Sequence, residues 1–401
     1  MAINMRIAID ARLYGPAKNK GLGRYVEQLV KNLELVDPEP EQSSVQGKSN
    51  EYIILLRKDN WDEYQPRSLN FKKVLADYKW YSLTEQIFLP IKLWRLKVDL
   101  VHFPHFNVPL LYRGKFVVTI HDLIMYKFPN ERATTRNKFL YKIKYWLHGV
   151  VVKSAVKRAE QIIAVSKHTK RDLVKEFGIV ENKISVIYLG YEVSQEQETR
   201  NKKQETNEVL IKFNIRKPYL LYVGNAYPHK NLERLIKAFE SVRLKYPNLQ
   251  LMLVGKDDYF YEQLKQFSNL TMKQWNNEVI FTNHISNGGL TELYKNASVY
   301  VFPSLYEGFG LPGLEAMSYG LPVASSKASC LPEIYGEAAL YFKPTDINDM
   351  TEKICQIIED ESLREELINK GLEQIKKYSW EGCARQTLET YAHLLNHGKA
   401  V

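Results

Sequence analysis

The densest chemistry in this 401-residue chain lies between Val301 and Ser326, VFPSLYEGFGLPGLEAMSYGLPVASS. Two carboxylates, Glu307 and Glu315, bracket Gly308, Phe309, Gly310 and Leu311-Pro312. The pattern predicts a strand, VYVFP, that ends in a loop holding Glu307, then a helix that opens at Leu311-Pro312 and carries Glu315. Proline suits a first helical turn because the amide it lacks would have no partner there. The free amides of that turn form a site for an anion, and the glycines let backbone approach a ligand closely. Ionised carboxylates only accept hydrogen bonds, so Glu315 could take both hydroxyls of a ribose and Glu307 those of a donor sugar. Taken singly, each glutamate reads as a turn or helix-surface residue. With the glycines and Pro312 between them, the pair reads as a site for a sugar nucleotide.

A cation suited to phosphate stands upstream, in YVGNAYPHKNLERLI from Tyr222 to Ile236. Lys230 is a compact charge, and Asn231 begins a helix whose N-terminus adds positive potential. A solvated lysine at a helix start is the plainer alternative, and it fits the neighbouring His229 better than Lys230. In FVVTIHDLIMYKFP, His121 and Asp122 end a buried strand, with Asp122 placed to orient the ring or cap the next turn. His102 and His105, in DLVHFPHFNVP, are expected to follow another strand. No third ligand of matching spacing accompanies them, so they read as loop and acceptor-pocket residues, not as a metal site. Asp257-Asp258 is adjacent and not DxD. GLGRYVEQLVKNL places Gly21 and Gly23 before a helix, but Val26 stands where a dinucleotide fingerprint needs its third glycine. Arg24 is a candidate cation or an ordinary helix-start residue, and Ser166 in AVSKHTKRDL reads as a helix cap.

These residues need a frame, and the hydropathy pattern supplies one. MRIAID, YIILL, DLVHF, FVVTI and QIIAV, then PYLLYVG, LQLMLVG, EVIFT, SVYVF and LPVAS, read as buried parallel strands separated by amphipathic helices. The fold class is α/β, with two doubly wound Rossmann-like domains facing across a cleft. Residues 1–192 form the first, 193–216 a polar linker, 217–378 the second, and 379–401 a helix that crosses back. The stretch from Asp37 to Asn50 reads as a surface loop.

The Val301–Ser326 segment resembles the paired-glutamate motif of the retaining glycosyltransferases of family 4 (glycosyl transferases group 1), which have the GT-B fold. The basic loop around Lys230 and the segment SSKASCLPEIYGEAALYFKP are similar as well, and the resemblance extends over nearly the whole chain. It implies transfer of a hexose from a nucleoside-diphosphate sugar to an acceptor hydroxyl in glycan, polysaccharide or glycolipid synthesis, without a metal or cofactor. It further implies catalytic roles for His121, Lys230 and Glu307. Donor binding would involve Gly21, Gly23, Gly224, Lys230, Glu307, Gly308, Phe309, Gly310, Leu311 and Glu315. Ser325, Ser326 and Glu333 stand in second rank. The PHKN-type loop points to mannose from GDP-mannose, with glucose, galactose, rhamnose and N-acetylhexosamines as the alternatives. Where many members carry arginine after the glycine at Gly224, this chain has Asn225, so either His229 or a basic residue from the other domain supplies the second cation, or the clamp is weaker.

Charge and composition bound the rest. A net charge of +10 favours phosphate-bearing partners. No Arg-rich tail or zinc module supports a nucleic-acid binder. A sugar-nucleotide epimerase or glucan phosphorylase on the same fold is the alternative enzyme. Cys330, Cys355 and Cys383 lack CxxC spacing and read as small hydrophobes in a reducing compartment. A cytoplasmic protein is expected, since no run approaches the ~18 apolar residues of a spanning helix. Arg136–Arg158 puts Phe139, Ile143, Leu147 and Val150 on one stripe among lysines, either a core helix or a membrane-surface one. WYSLTEQIFLPIKLWRLK adds an aromatic-basic stretch that favours peripheral membrane contact and a lipid-linked acceptor.

Overall fold

The computed structural model describes residues 5–38, 50–128, 138–191, 209–283 and 285–397, with the side chains of 16–20, 138–144, 274, 276 and 395–397 excepted. Residues 193–208 of the linker proposed at 193–216, most of the loop after Asp37, and the side chains of Phe139 and Ile143 in the helical stripe lie outside what is described. The chain divides into two compact units, Met1–Gly190 with Tyr378–Val401, and Tyr191–Lys377.

In the first unit the strands are β1 (Arg6–Asp10), β2 (Glu51–Leu56), β3 (Phe71–Leu75), β4 (Leu100–Phe103), β5 (Phe116–Ile120), β6 (Gln161–Ala164) and β7 (Ile184–Val186). They form one parallel sheet in the order β3-β2-β1-β4-β5-β6-β7. Its helices are α1 (Pro16–Val36), α2 (Leu83–Arg95), α3 (Ile124–Lys127), α4 (Lys138–Arg158), α5 (Lys167–Phe177) and, at the far end of the chain, α13 (Trp380–His397).

The second unit repeats the plan with β8 (Tyr219–Val223), β9 (Gln250–Val254), β10 (Val279–Thr282), β11 (Val299–Phe302), β12 (Val323–Ser326) and β13 (Ala339–Phe342). Its order, β10-β9-β8-β11-β12-β13, is again wholly parallel. The helices are α6 (Leu232–Lys245), α7 (Tyr259–Met272), α8 (Asn287–Asn296), α9 (Leu311–Ser318), α10 (Leu331–Tyr335), α11 (Ile347–Glu359) and α12 (Glu361–Ile375). Central strands such as β1, β5, β8 and β11 are buried almost throughout, as helices covering both faces require.

Three expectations need correction. Gly21 and Gly23 do not precede a helix: α1 already begins at Pro16, capped by Gly15 at φ 95°, and both glycines lie within it. The Gly15-Pro16 pair was the start signal, because proline at the first helical position is preorganised for it. His102 lies inside β4 and is fully buried, so it is neither a loop nor a pocket residue. Finally, Leu147 and Val150 of α4 are exposed, while Val151, Val152, Ala155 and Val156 pack into the core; the inward stripe is therefore a different one.

His102 joins a buried polar chain. Its Nδ1 lies 2.5 Å from the Tyr391 hydroxyl and its Nε2 2.8 Å from Thr119 Oγ1, which is 3.0 Å from the Tyr25 hydroxyl. The chain of bonds ties α13, β4, β5 and α1 together, and each partner satisfies a group that could not be buried alone. Where the path re-enters the first unit, a Cβ on Gly190 would meet the Trp380 backbone at 2.1 Å, so only glycine permits that approach.

Burial pushes His102 and His105 down to about 3 and His121 to about 4, with neighbouring imidazoles adding to the first two shifts. An unfolded histidine titrates near 6.5. Between these values the unfolded chain binds more protons, so stability is complete above about pH 6.5 and is lost as pH falls toward 4. Urea unfolding across a pH series should show a loss of up to ~1.4 kcal/mol per pH unit per histidine in that window, and His102→Asn should shallow the slope.

Candidate functional site

Strands β8 and β11 are hydrogen-bonded neighbours at the point where the strand order reverses. The connections leaving their carboxyl ends run to opposite sides, and a ligand crevice opens there in doubly wound sheets. One connection carries Gly224 to Lys230 and the other Pro303 to Gly310. Across this point Lys230 Nζ donates to Glu307 Oε1 at 2.6 Å, with 13% and 10% of the two side chains exposed. The two residues that the sequence marked for phosphate and for sugar are thus in contact with each other.

The loop bearing Glu307 is braced along its length. Asn231, at φ 63° just before α6, donates from Nδ2 to the carbonyls of Pro303 (2.9 Å) and Pro344 (2.7 Å). Leu305 N donates to the His229 carbonyl at 2.7 Å, and Ser326 Oγ to the Ser304 carbonyl at 2.5 Å. Glu307 N donates to Ser329 Oγ at 2.9 Å, and Cys330 Sγ donates to the Glu307 carbonyl at 3.3 Å. Cys330 is therefore a donor that fixes a site residue as well as a small core side chain. Ser325 and Ser326 are completely buried; Ser326 is such a brace, whereas Ser325 Oγ donates to the Ser326 carbonyl at 3.2 Å. Glu333 lies in the first turn of α10.

Gly310 caps α9 at φ 98°, and Leu311-Pro312 open that helix. Phe309 is buried beside them. The Tyr335 hydroxyl donates to the Gly310 carbonyl at 2.6 Å. A Cβ on Gly310 or Gly313 would lie 2.6 Å or 2.3 Å from that hydroxyl, so the tyrosine explains both glycines. Glu315, half-buried on α9, accepts from the Tyr294 hydroxyl at 3.3 Å. At Gly224 a side chain would strike the Tyr222 hydroxyl at 2.6 Å.

His229 is buried, and desolvation together with Lys230 pushes it down to about 4. Burial and the adjacent Lys230 therefore favour the neutral ring at physiological pH. Asp258 caps α7 through the amides of Phe260 and Tyr261, while Asp257 pairs with Lys265 at 2.9 Å. Among the described residues no group of three or more His, Cys, Asp and Glu side chains is placed to hold a metal ion.

In the first unit His121 follows β5. Its Nε2 donates to the Pro104 carbonyl at 3.0 Å, and its ring meets Tyr25 edge-on at 4.6 Å. The ring is neutral at pH 7, so its Nδ1 is left as an acceptor. Asp122 caps the turn by accepting from Ile124 N at 2.9 Å and Ser166 caps α5, each the simpler of its roles. Asp10 and Arg12, missed in the sequence, sit at this sheet's own reversal point. Arg12 pairs with Asp10 at 2.7 Å and with Glu85 at 2.8 Å, under the ring of Trp80 at 4.2 Å. A charged triplet in a segment as short as DAR gives no periodic signal, because Glu85 comes from a distant helix.

Two parallel-sheet domains with this reversal in each, and a paired-glutamate loop at the second, define a GT-B fold. Comparisons with known proteins carry this further. The profile of glycosyl transferases group 1 matches residues 203–374, and that of glycosyltransferase family 4 matches residues 51–195. O-antigen chain mannosyltransferase B of Escherichia coli is 29% identical over 92% of this chain and 95% of its own length. O-antigen chain mannosyltransferase RfbU of Salmonella typhimurium is 30% identical over 67% of each. Among solved structures, sucrose-phosphate synthase of Thermosynechococcus elongatus has a TM-score of 0.70 at 22% identity, over 98% of this chain and 100% of that one. HepE of Anabaena, solved with UDP-glucose, has a TM-score of 0.67 at 16% identity, over 97% and 100%. These two structures share the fold. The chain belongs to the family 4 glycosyltransferases of group 1.

Gly313→Ala should force Tyr335 off the Gly310 carbonyl and cost about 1–3 kcal/mol of stability, as overpacking does. Thermal unfolding of the variant checks this, and adding Tyr335→Phe should not recover the loss, because the ring carbon Cζ, which phenylalanine keeps, would still lie 2.4 Å from the new Cβ.

Proposed function

We propose that this chain transfers a hexose, with mannose the first candidate, from a nucleoside-diphosphate sugar to an acceptor hydroxyl during polysaccharide assembly. The Lys230–Glu307 contact at the reversal of the second sheet carries the reading. A cation and a sugar-accepting carboxylate held there suit a ligand with a diphosphate at one end and a hexose at the other. Mannose and the polysaccharide acceptor are supported by the O-antigen mannosyltransferases that align along this chain. Those names also weigh against an epimerase or a phosphorylase.

In the proposed reaction the donor diphosphate draws Lys230 from Glu307, which is then released to accept from the sugar. Lys230 and the amides at the start of α9 stabilise the charge that grows as the bond from C1 to the phosphate oxygen breaks. The acceptor oxygen bonds to C1 on the face the diphosphate leaves, and its proton passes to the departing phosphate. Configuration at C1 is retained, and neither metal nor cofactor takes part. Gly224, Gly308, Phe309, Gly310 and Leu311 shape the donor site, and Glu315 holds the ribose; Gly21 and Gly23, whose amides lie inside α1, are not proposed as phosphate contacts. His121, neutral and fixed through Nε2, accepts from a sugar hydroxyl. The reaction is cytoplasmic, and a lipid-linked acceptor would bring the protein to the membrane as a peripheral partner. No helix of the described residues is long and apolar enough to cross a membrane.

Thermal-shift titration with GDP-, UDP- and dTDP-sugars should single out one donor. Lys230→Ala should raise its KM by about 10- to 150-fold, the size of a lost charge-assisted hydrogen bond of ~1.5–3 kcal/mol. Glu307→Ala should lower kcat mainly; normal turnover in both folded variants would remove the assignment. EDTA should leave the rate unchanged, and NMR of the fresh product should show the donor's anomeric configuration.

A further inference from the structure

Helix α2 is apolar on both its buried and its outward face. Glu85, Leu89 and Leu93 share its buried face, and the opposite face presents Leu83, Ile87, Ile91 and Trp94, with Phe88 beside them. Leu83 is 81% exposed and Trp94 79%. A helix on a globular protein normally buries its apolar stripe and shows its charges. Here the inward carboxylate is accounted for: Glu85 is held by Arg12, by Asn107 Nδ2 at 2.8 Å and by the Tyr81 amide at 2.7 Å. Among the described residues the outward stripe has no such account.

The stripe continues into a groove of about 480 Å³ lined by Ile91, Trp94 and Leu111 together with Lys97 and Arg113. From Tyr78 to Val98 the chain carries four cations, Lys79, Lys92, Arg95 and Lys97, and one acid, the buried Glu85. The outward surface therefore combines apolar side chains with positive charge and shows no acid from this stretch. Such a face complements a layer with anionic headgroups above an acyl interior, with tryptophan at the boundary between them.

We propose that the outward face of α2, with the groove beside it, docks on the anionic phospholipid surface of a membrane. The proposal deepens the peripheral membrane contact proposed above and rests on that reading for its purpose. Apolar side chains from Leu83 to Trp94 enter the headgroup boundary, and Arg95, Lys97 and Arg113 meet phosphates. Neither set belongs to the donor site, so docking and transfer are separable.

The test is sedimentation of the full chain with vesicles containing phosphatidylglycerol or made of phosphatidylcholine alone, with transfer to a soluble acceptor measured in parallel. The wild type should bind the anionic vesicles at least about tenfold more tightly, and salt should weaken this preference. Ile87→Ser with Trp94→Ser should reduce binding about tenfold or more, each apolar group contributing in proportion to its buried area. Lys97→Glu with Arg113→Glu should abolish the preference for anionic lipid, and both variants should keep wild-type turnover. Failure of the wild type to sediment, or undiminished binding by the serine variant, would overturn the proposal. So would a wild-type dimer that the same serines dissociate, since the face would then join two copies. Vesicle binding in this pattern with no hexose transfer would sustain the docking surface and sink the transferase reading.

Discussion

Two strands that run side by side in the same direction, yet send their chains to opposite faces of the sheet, cannot close the space above their ends. That constraint recurs in both units, between β1 and β4 and between β8 and β11. The gap must be filled from loops, and the two units fill it differently. In the first, Arg12 is sealed between Asp10 and Glu85, its side chain wholly inaccessible. In the second, Lys230 and Glu307 pair while keeping part of each side chain in solvent. A closed triplet holds its own geometry. An open pair can be exchanged for a ligand, and that difference is why donor binding is proposed for the second unit.

The open pair is useful only because its surroundings are fixed. Asn231, Ser329, Cys330 and Tyr335 each hold one piece of backbone between Pro303 and Gly310. The cost of ordering that loop is met in folding, before any ligand arrives, which is what a preorganised electrostatic site requires. A left-handed asparagine and two glycines pressed against a tyrosine are the local irregularities that this rigidity demands.

Much of this was legible. The buried strands announced themselves as apolar runs, and the glycines and Pro312 between two glutamates marked the loop and its helix. Strands at the sheet margins were not: β3, with Lys72 and Lys73 in a five-residue FKKVL, is half solvated and has no apolar run to detect. Helix α2 was visible only as an aromatic-basic stretch, because its buried face carries a glutamate whose partner lies far away in sequence. His102 was misplaced by its neighbours, since a histidine beside Pro104 and His105 reads as loop until Tyr391 and Thr119 are seen to satisfy both nitrogens. Motif chemistry is local and can be read. Bracing is long-range and cannot.

Helix α13 packs on α1 and supplies Tyr391 to the core of the first unit, yet it is encoded after the whole of the second. The domain that leaves the ribosome first is consequently the last to be finished. Until the closing helix is synthesised, His102 Nδ1 and the flank of α1 wait without the partners that helix supplies, while the second unit already has every residue it needs. Assembly order is thus the reverse of reading order. A break anywhere in the later domain also leaves the earlier one incomplete, so the first unit is not finished by stopping synthesis at the junction.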